Sequence, residues 1–308
     1  MKEQKKKDTA NAESNAETER SDFDGFWKEL INRFFYQLLK RAVPELYEKV
    51  DITKKHRLLE TEFRDILKMF DRKKRKRPRF ADLLIELPLI DGENAWILFH
   101  TEAQQGSGGG NIAERMNHYR SLIYAHYRKE PVALAIIAGS SRKKERFYSH
   151  FHYGTEIIYR YNNLVLAELD DDELRASDNP IDLALYAAKC SLRAKKELQK
   201  YTYLRTLLEL LAERGWSEKD KDDLLFFLEW IIDLRDEELE KKYAEYRDQL
   251  SKEGKIVYIR PGEREAVEEI KQSAKEEMAR KLLANGVSPD IIAKSAGKPV
   301  EEIRKLMN

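Results

Sequence analysis

The sequence predicts an α/β domain that is followed by an all-helical C-terminal extension. Up to about residue 190, apolar runs of strand length alternate with segments whose apolar residues recur at helical spacing. From Pro180 onward, helical spacing continues through almost all of the remaining chain. Strands that alternate with helices are typical of an α/β domain, and we expect that class in the first part of the chain.

The composition allows a large core and limits the classes of partner. The chain has 308 residues, of which 42% are hydrophobic and 37% are charged. The net charge is only +1, so any attraction to nucleic acid must come from local clusters. The single cysteine, Cys190, cannot form an internal disulfide, and no apolar run approaches the ~20 residues that span a bilayer. We therefore expect a cytoplasmic protein that has no membrane segment.

Four regions follow from these patterns. In chain order they are a disordered polar leader (residues 1–21), the α/β domain (22–190), a helical extension (191–255) and a helical tail (256–308). In the tail, Gly286 and Gly297 stand where helices would stop, and Ser288 could cap the next helix. Short helices joined in this way resemble a helix-turn-helix. A small appendage for packing or dimerisation fits the same pattern.

The individual elements of the α/β domain are predicted from local signals. Phe26, Leu30, Phe34 and Leu38 recur at helical spacing and predict a helix over Phe23–Lys40. Further along the chain, the sequence predicts two strands, FADLLIEL and AWILFHTEAQ, joined by a turn at Asp91–Gly92. A helix, IAERMNHYRSLIYAHYRK, and a strand, PVALAIIAG, are predicted next, and further short strands are predicted in FYSHFHY and NLVLAEL.

The strand that ends in FHTEAQ raises a chemical question, because its end is polar. Side chains alternate along a strand, so His100, Glu102 and Gln104 share one face. Asp82 stands near the start of the preceding strand. If the two strands pair antiparallel, the start of one lies beside the end of the other. We therefore expect Asp82 to lie near Glu102 and Gln104.

Two neighbouring carboxylates predict a cation site, with a structural alternative. Adjacent carboxylates repel each other unless a cation lies between them, and Mg²⁺ binds well to one or two carboxylates together with waters and phosphate oxygens. In the alternative, Asp82 caps a loop and Glu102 pairs with a nearby arginine. Spacing alone leaves both interpretations open.

The order of these residues resembles the PD-(D/E)XK nuclease core, in which a central mixed sheet is flanked by helices. More specifically, the chain resembles the bacterial recombination-promoting nuclease/putative transposase family from about residue 22 to residue 250. The matching segments, in chain order, are DGFWKELI, ETEFRD, RFADLL, AWILFHTEAQ, ERMNHY, RKEPVALAII, DNPIDLALYAAK and LLFFLEWIIDL. Each motif is loose by itself, and their order over more than two hundred residues is the specific signal.

The resemblance implies roles for particular residues. Asp82 and Glu102 would bind Mg²⁺, with Mn²⁺ as a substitute, and Gln104 takes the position of the superfamily lysine. An amide cannot act as a general base near neutral pH, so Gln104 would orient water or contact phosphate. An acid on the first helix often completes such sites, and Glu29 is the first candidate. Glu62 is the second, and either one could instead be an ordinary surface acid.

Two groups of residues are expected to face DNA. Arg115 and Tyr119 are four residues apart on one helical face, and the resemblance places both near the site. Tyr119 could instead pack in the core. The other group is the basic run before the Asp82 strand, which could also be a solvated turn; its cations include Lys73, Lys74, Arg75, Arg77 and Arg79.

The resemblance therefore implies a Mg²⁺-dependent DNA endonuclease that promotes recombination or DNA mobility. A DNA-binding protein without catalysis, or a regulator with a nuclease-like fold, is the alternative. DNA is the expected partner, and a homodimer is compatible with cleavage of both strands, although no residue in the sequence indicates one.

Overall fold

A computed structural model describes residues 27–64, 81–102, 112–137, 146–259, 277–283, 287–296 and 300–305. At residues 81, 82, 101, 102, 293–296, 301, 302 and 305 it describes the backbone only. The predicted leader, residues 1–21, lies outside this part of the chain.

The described chain begins with three helices, the first two of which bury their apolar side chains. Residues 27–33 are helical (α1), Phe34 forms a turn, and α2 (Phe35–Ala42) and α3 (Pro44–Tyr47) follow. Leu30, Phe34 and Leu38 are at most 4% exposed, as their helical spacing predicted. The predicted helix over Phe23–Lys40 is therefore confirmed for its described part, with one break at Phe34.

A five-stranded mixed sheet forms the centre of the α/β part. After β1 (Arg57–Leu58), residues 60–64 are helical (α4), and β2 (Ala81–Pro88) and β3 (Asn94–Glu102) form a hairpin. Its turn contains Gly92 at φ 87°, a conformation that favours glycine. The Asp91 side chain accepts a hydrogen bond from the Glu93 N–H at 3.0 Å. The predicted hairpin at Asp91–Gly92 is thus confirmed.

The other strands of the sheet run parallel to β3. Helix α5 (Ile112–Tyr127) connects β3 to β4 (Val132–Ile137), and β7 (Asn162–Val165) pairs with β4. The strand order is β1-β2-β3-β4-β7, with β1 and β2 antiparallel to their neighbours. Between β4 and β7 the chain forms a separate two-stranded ribbon, β5 (Phe147–His152) and β6 (Thr155–Arg160).

Both faces of the β2–β3 hairpin are buried. On one face, Leu84 and Leu98 pack in a cluster with Ile112 and Met116 of α5. On the other, Phe99 is fully buried and is paired in register with Leu83 of β2 and Leu134 of β4, which are both buried. The face with Phe99 is therefore apolar and buried, and the face with His100 is covered by α5.

Helices follow the sheet, as the sequence predicted. After a 3₁₀ turn (Leu166–Glu168), the chain forms α6 (Asp171–Ala176), α7 (Pro180–Arg193), α8 (Glu197–Glu213), α9 (Glu218–Ile231) and α10 (Glu237–Lys252). The described residues up to Ile256 form one compact unit. The predicted boundary between 190 and 191 falls inside α7.

The described residues from Val257 onward form a second unit, with a small hydrophobic cluster of its own. Residues 277–283 are helical (α11), and α12 (Pro289–Ala296) and α13 (Val300–Lys305) follow. Ala279, Ile292 and Ile303, one from each helix, are buried together. Ser288 accepts a hydrogen bond from the Ile291 N–H at 3.4 Å, so its predicted role as a helix cap is confirmed.

A membrane-spanning helix is not found among the described residues: none of their helices is both long enough and apolar enough.

Candidate active site

The predicted acidic site lies where β2 begins and β3 ends. The two strands are antiparallel, and Asp82 is paired in register with His100. Glu102 is two residues further along β3 and is paired with Ile137 of β4. Positions 82, 100 and 102 therefore belong to one face of the sheet, with 82 and 102 as diagonal neighbours. The Cα atoms of such diagonal neighbours are about 7–8 Å apart.

The side chains of Asp82 and Glu102 lie outside the described residues, as does Gln104. Their positions on the face that α5 covers are given by the backbone register and by the buried pair Leu84 and Leu98, which shares that face. The register thus brings the two predicted metal-binding positions together at one end of the hairpin, as the antiparallel interpretation required.

His100 lies between these positions and is fully buried. Arg115 of α5, which is half-buried, contacts it, with 3.4 Å between Arg115 Nη1 and His100 Nε2. A guanidinium only donates hydrogen bonds, so His100 Nε2 is the acceptor. The contact joins α5 to β3 beside the acidic positions. The alternation of side chains along the strand predicted the face of His100 but not its contact with Arg115, although its place two residues before Glu102 was a usable signal.

Arg115 is therefore positioned near the acidic end of the hairpin, as predicted. It projects from the first half of α5, the helix that follows the end of β3 in the chain. A half-buried guanidinium beside two carboxylate-bearing positions could bind a phosphate there or balance part of their charge.

Tyr119 is placed in the core. Its ring is 5% exposed and packs edge-on against Phe63, with 5.4 Å between ring centroids and 82° between ring planes. This arrangement favours the packing alternative over stacking on a base, because the ring faces are covered by protein.

The two acids considered as a third ligand lie on different elements. Glu29 is exposed on α1. That helix contacts α9 through Trp27, which packs edge-on against Phe227, and through Arg33, which pairs with Asp220. Those contacts give Glu29 no position beside β2 or β3.

Glu62 contacts Arg57, with 3.3 Å between Oε1 and Nη1. Arg57 is paired in register with Glu86, which stands four residues along β2 from Asp82, or about 13 Å. Glu62 is thus held near Glu86, away from the acidic end of the hairpin.

Glu86 is a structural acid, and its surroundings differ from those of the acidic end. Burial raises the pKa of the Glu86 carboxyl, but hydrogen bonds from Trp96 and Arg57 outweigh burial and lower the pKa overall. These two donors fix Glu86 as a carboxylate that ties β1 to β3. Glu86 therefore has its charge balanced by protein alone, with no role for a cation.

A concave surface lies elsewhere in the first unit, away from the acidic positions. It has a volume of about 700 Å³ and is lined by α2, α3 and the start of α7. The Asp51 N–H donates to the Pro88 carbonyl at 2.9 Å, which places this region near the turn end of the hairpin. Its buried acid, Asp182, accepts a hydrogen bond from Ser177 at 2.6 Å and lies 3.4 Å from Arg41. We interpret Asp182 as a structural group that holds the start of α7 to the segment before it and to α2.

Several predicted site residues lie outside the described part of the chain, namely the basic cluster Lys73, Lys74, Arg75, Arg77 and Arg79. Where side chains are described, no group of three or more histidine, cysteine, aspartate or glutamate residues is arranged to hold a metal ion. The candidate metal site therefore consists of the positions of Asp82 and Glu102, with His100 and Arg115 beside them.

Comparison of the chain with models of protein families, with curated proteins and with solved structures gave no match. The function must therefore be argued from the residues and their positions.

Proposed function

We propose that this chain is a Mg²⁺-dependent DNA endonuclease with a PD-(D/E)XK-type core. The observation that carries the proposal is the β2–β3 register, which makes Asp82 and Glu102 diagonal neighbours at one end of the hairpin. The proposal also rests on the resemblance to the recombination-promoting nuclease/putative transposase family, and the cellular role that it implies is DNA recombination or mobility.

The order of elements supports this proposal. An antiparallel hairpin ends in the two acidic positions, a helix follows that carries Arg115, and the next strand returns parallel to β3. Those are the elements in which the resembling motifs stand. The register supports the cation site more directly than the motifs do, because it depends on the pairing of strands and not on the resemblance.

The residues at the site fit a hard divalent cation. Mg²⁺ binds oxygen ligands and commonly takes only one or two carboxylates, while waters and substrate phosphates fill its other positions. Asp82 and Glu102 are the residues that would hold it. Glu86 provides a contrast, because Arg57 already balances the charge of that acid and Trp96 donates a hydrogen bond to it. When bound, Mg²⁺ lowers the pKa of a coordinated water and stabilises negative charge on a phosphate.

The protein's own side chains would position the DNA. Arg115 would bind a phosphate oxygen beside the acidic pair, and its contact with His100 would fix the direction of its guanidinium. Gln104 would orient water or phosphate through its amide. The basic cluster Lys73–Arg79 would bind the DNA backbone, which adds salt-dependent affinity without base specificity.

Cleavage of supercoiled plasmid tests the proposal. Wild-type protein is incubated with Mg²⁺, Mn²⁺, Ca²⁺ or EDTA and compared with Asp82→Asn and Glu102→Gln, which remove charge but keep size. We expect nicking or linearisation with Mg²⁺ or Mn²⁺ and a loss of at least about a hundredfold in both variants, the effect of removing one electrostatic stabiliser of a transition state. Glu93→Gln, in the exposed turn of the same hairpin, is the matched control and should cleave like the wild type.

The same experiment separates the alternatives. Equal cleavage by the wild type and by both variants would place the activity at another site or in a contaminant. DNA binding without cleavage by any form would favour a DNA-binding protein. That alternative draws on the second unit, whose three described helices share one small hydrophobic cluster. The predicted helix stops at Gly286 and Gly297 lie outside the described residues.

A further inference from the structure

The β5–β6 ribbon has an outer part that is exposed to solvent on both faces. Every residue from Ser149 to Ile158 is exposed, including four large apolar or aromatic side chains: Phe151, Tyr153, Ile157 and Ile158. An isolated two-stranded hairpin is at best marginally stable in water, and an unpaired strand edge is a template for another strand. The ribbon would therefore gain stability from a further strand.

The free edge of β6 presents its backbone groups at alternate residues. Tyr153 and Gly154 form a two-residue loop, and both have positive φ (45° and 83°), as in the tight turns of hairpins. In such a hairpin the flanking pair, His152 and Thr155, exchanges both backbone hydrogen bonds, and bonded pairs then alternate. The N–H and C=O groups of residues 156, 158 and 160 therefore point away from β5. In the described chain, no third strand pairs with β6.

The sequence of this edge is complementary to itself. Glu156, Ile158 and Arg160 alternate along β6 and so share one face. If a second β6 pairs antiparallel with Ile158 opposite Ile158 of the partner subunit, Glu156 lies opposite Arg160 of the partner subunit, and the reverse pair forms as well. Among the described residues, neither Glu156 nor Arg160 forms an ion pair within its own chain. Opposite charges at directly opposed positions stabilise paired strands.

The other face of the same register is also complementary. There Ile157 would lie opposite Tyr159 of the partner subunit, and aromatic–β-branched pairs of this kind stabilise sheets. Tyr159 is half-buried against the core of its own chain, so only the exposed part of its ring is open to this pair. The N–H and C=O groups of residues 156, 158 and 160 would meet those of the second strand, so the backbone pattern and the charge pattern agree on one register.

We propose that β6 pairs antiparallel with β6 of a second copy of this chain, about a two-fold axis at Ile158, to form one four-stranded sheet. A two-fold interface uses the same surface on both subunits, as this self-complementary edge requires. Duplex DNA is a poorer occupant, because Glu156 would face phosphates and the exposed isoleucines would gain little there. The proposal does not depend on the nuclease assignment.

Charge reversal tests the register in the full-length protein. We expect a dimer by light scattering coupled to gel filtration. Glu156→Arg and Arg160→Glu should each weaken the dimer about tenfold or more, because each replaces two ion pairs with two repulsions. The double variant, which restores both pairs in reversed order, should dimerise again. Both residues are exposed, so the variants should fold and give the far-ultraviolet circular dichroism spectrum of the wild type.

Cysteine cross-linking gives a second measurement of the axis. Directly opposed residues in a hydrogen-bonded antiparallel pair have Cα atoms about 5.5 Å apart, within the range that a disulfide spans. Ile158→Cys should therefore form a covalent dimer on mild oxidation. Cys190, the chain's only cysteine, is fully buried and does not interfere. Ile90→Cys, at a residue that is 70% exposed in the β2–β3 turn, is the control and should remain uncross-linked.

A wild-type protein that stays monomeric would overturn the proposal, and so would a dimer that both single charge reversals leave intact. If the wild type is monomeric and Glu156→Arg changes its affinity for DNA, the ribbon contacts nucleic acid and the proposed pairing is wrong.

Discussion

At the residue scale, buried polar side chains in this protein are held by partners on other elements. Lys189 is 3% exposed, yet its Nζ lies 2.6 Å from an Asp171 oxygen and donates a hydrogen bond to the Leu169 carbonyl. Asp171 also accepts hydrogen bonds from Arg193. A buried charge that loses its partner is strongly destabilising, so Asp171 anchors α6 to the end of α7.

Asp171→Asn should therefore lower the free energy of unfolding by about 2 kcal/mol or more at pH 7, because Lys189 would remain buried without its counter-charge. This expected loss of unfolding free energy is smaller than the loss for a fully buried ion pair, since the Asp171 side chain is about one-third exposed. Urea denaturation measures it. Asp172→Asn is the matched control: its carboxylate is 92% exposed, so a change within about 0.5 kcal/mol is expected.

The effect of Asp171 should also depend on pH. Hydrogen bonds from Arg193 lower the pKa of the Asp171 carboxyl most strongly, burial opposes them, and Lys189 adds to the lowering. A lowered pKa in the folded state means that the stabilisation is present above the unfolded pKa of about 4 and is lost as pH falls through the folded pKa. The difference between wild type and Asp171→Asn should thus shrink below pH 4. A difference that stays constant down to pH 2 would show that charge is not its cause.

At the element scale, helices begin where a side chain caps the first turn. Asp170, Asn179, Ser217 and Asp236 each accept a hydrogen bond from a backbone N–H in the first turn of α6, α7, α9 and α10, respectively. These caps satisfy N–H groups that have no partner within the helix. The starts of these four helices are therefore set by residues within a few positions in the sequence.

Asp236→Ala tests the capping contribution in α10. The Asp236 carboxylate accepts from the Leu239 N–H at 3.0 Å and is exposed, so its loss should cost about 1 kcal/mol. Asp236→Ser keeps a capping oxygen and should recover most of that stability. The midpoint of urea unfolding is the measurement. Equal destabilisation by alanine and serine would mean that the cap is not what stabilises the start of α10.

At the scale of the whole molecule, the chain forms two units with separate hydrophobic clusters. Residues 1–256 contain the sheet and α1–α10, and residues 257–308 contain the small cluster of Ala279, Ile292 and Ile303. The division falls close to the predicted start of the tail at residue 256. Because most stability comes from contacts within a buried core, each unit's core can be considered by itself.

A chain that ends at residue 256 should therefore fold. We expect one cooperative thermal transition within about 5 °C of the transition of the same unit in the full chain, since the larger core keeps all of its own contacts. Circular dichroism at 222 nm follows the transition, and calorimetry of the full chain provides the comparison. A shortened chain that melts without cooperativity would show that the tail is part of the larger unit's core.

The sequence alone determined the local elements around the candidate site. Periodicity and turn chemistry predicted the β2–β3 hairpin, its turn at Asp91–Gly92, helix α5 and strand β4, because these signals depend on residues close together in the chain. The Ser288 cap is local for the same reason. The strand β6, with its self-complementary edge, was not predicted, since a short exposed strand carries little apolar periodicity.

Only the tertiary structure decided which residues meet. The sequence predicted that Asp82 would approach Glu102, but the register that pairs Asp82 with His100 depends on two packed faces at once. The contact of His100 with Arg115 joins residues 15 positions apart, and the packing of Tyr119 against Phe63 joins residues 56 positions apart. The contact of Glu62 with Arg57 joins two different elements. Such contacts follow from how the faces of strands and helices fill a common core, and no local pattern in the sequence encodes that arrangement.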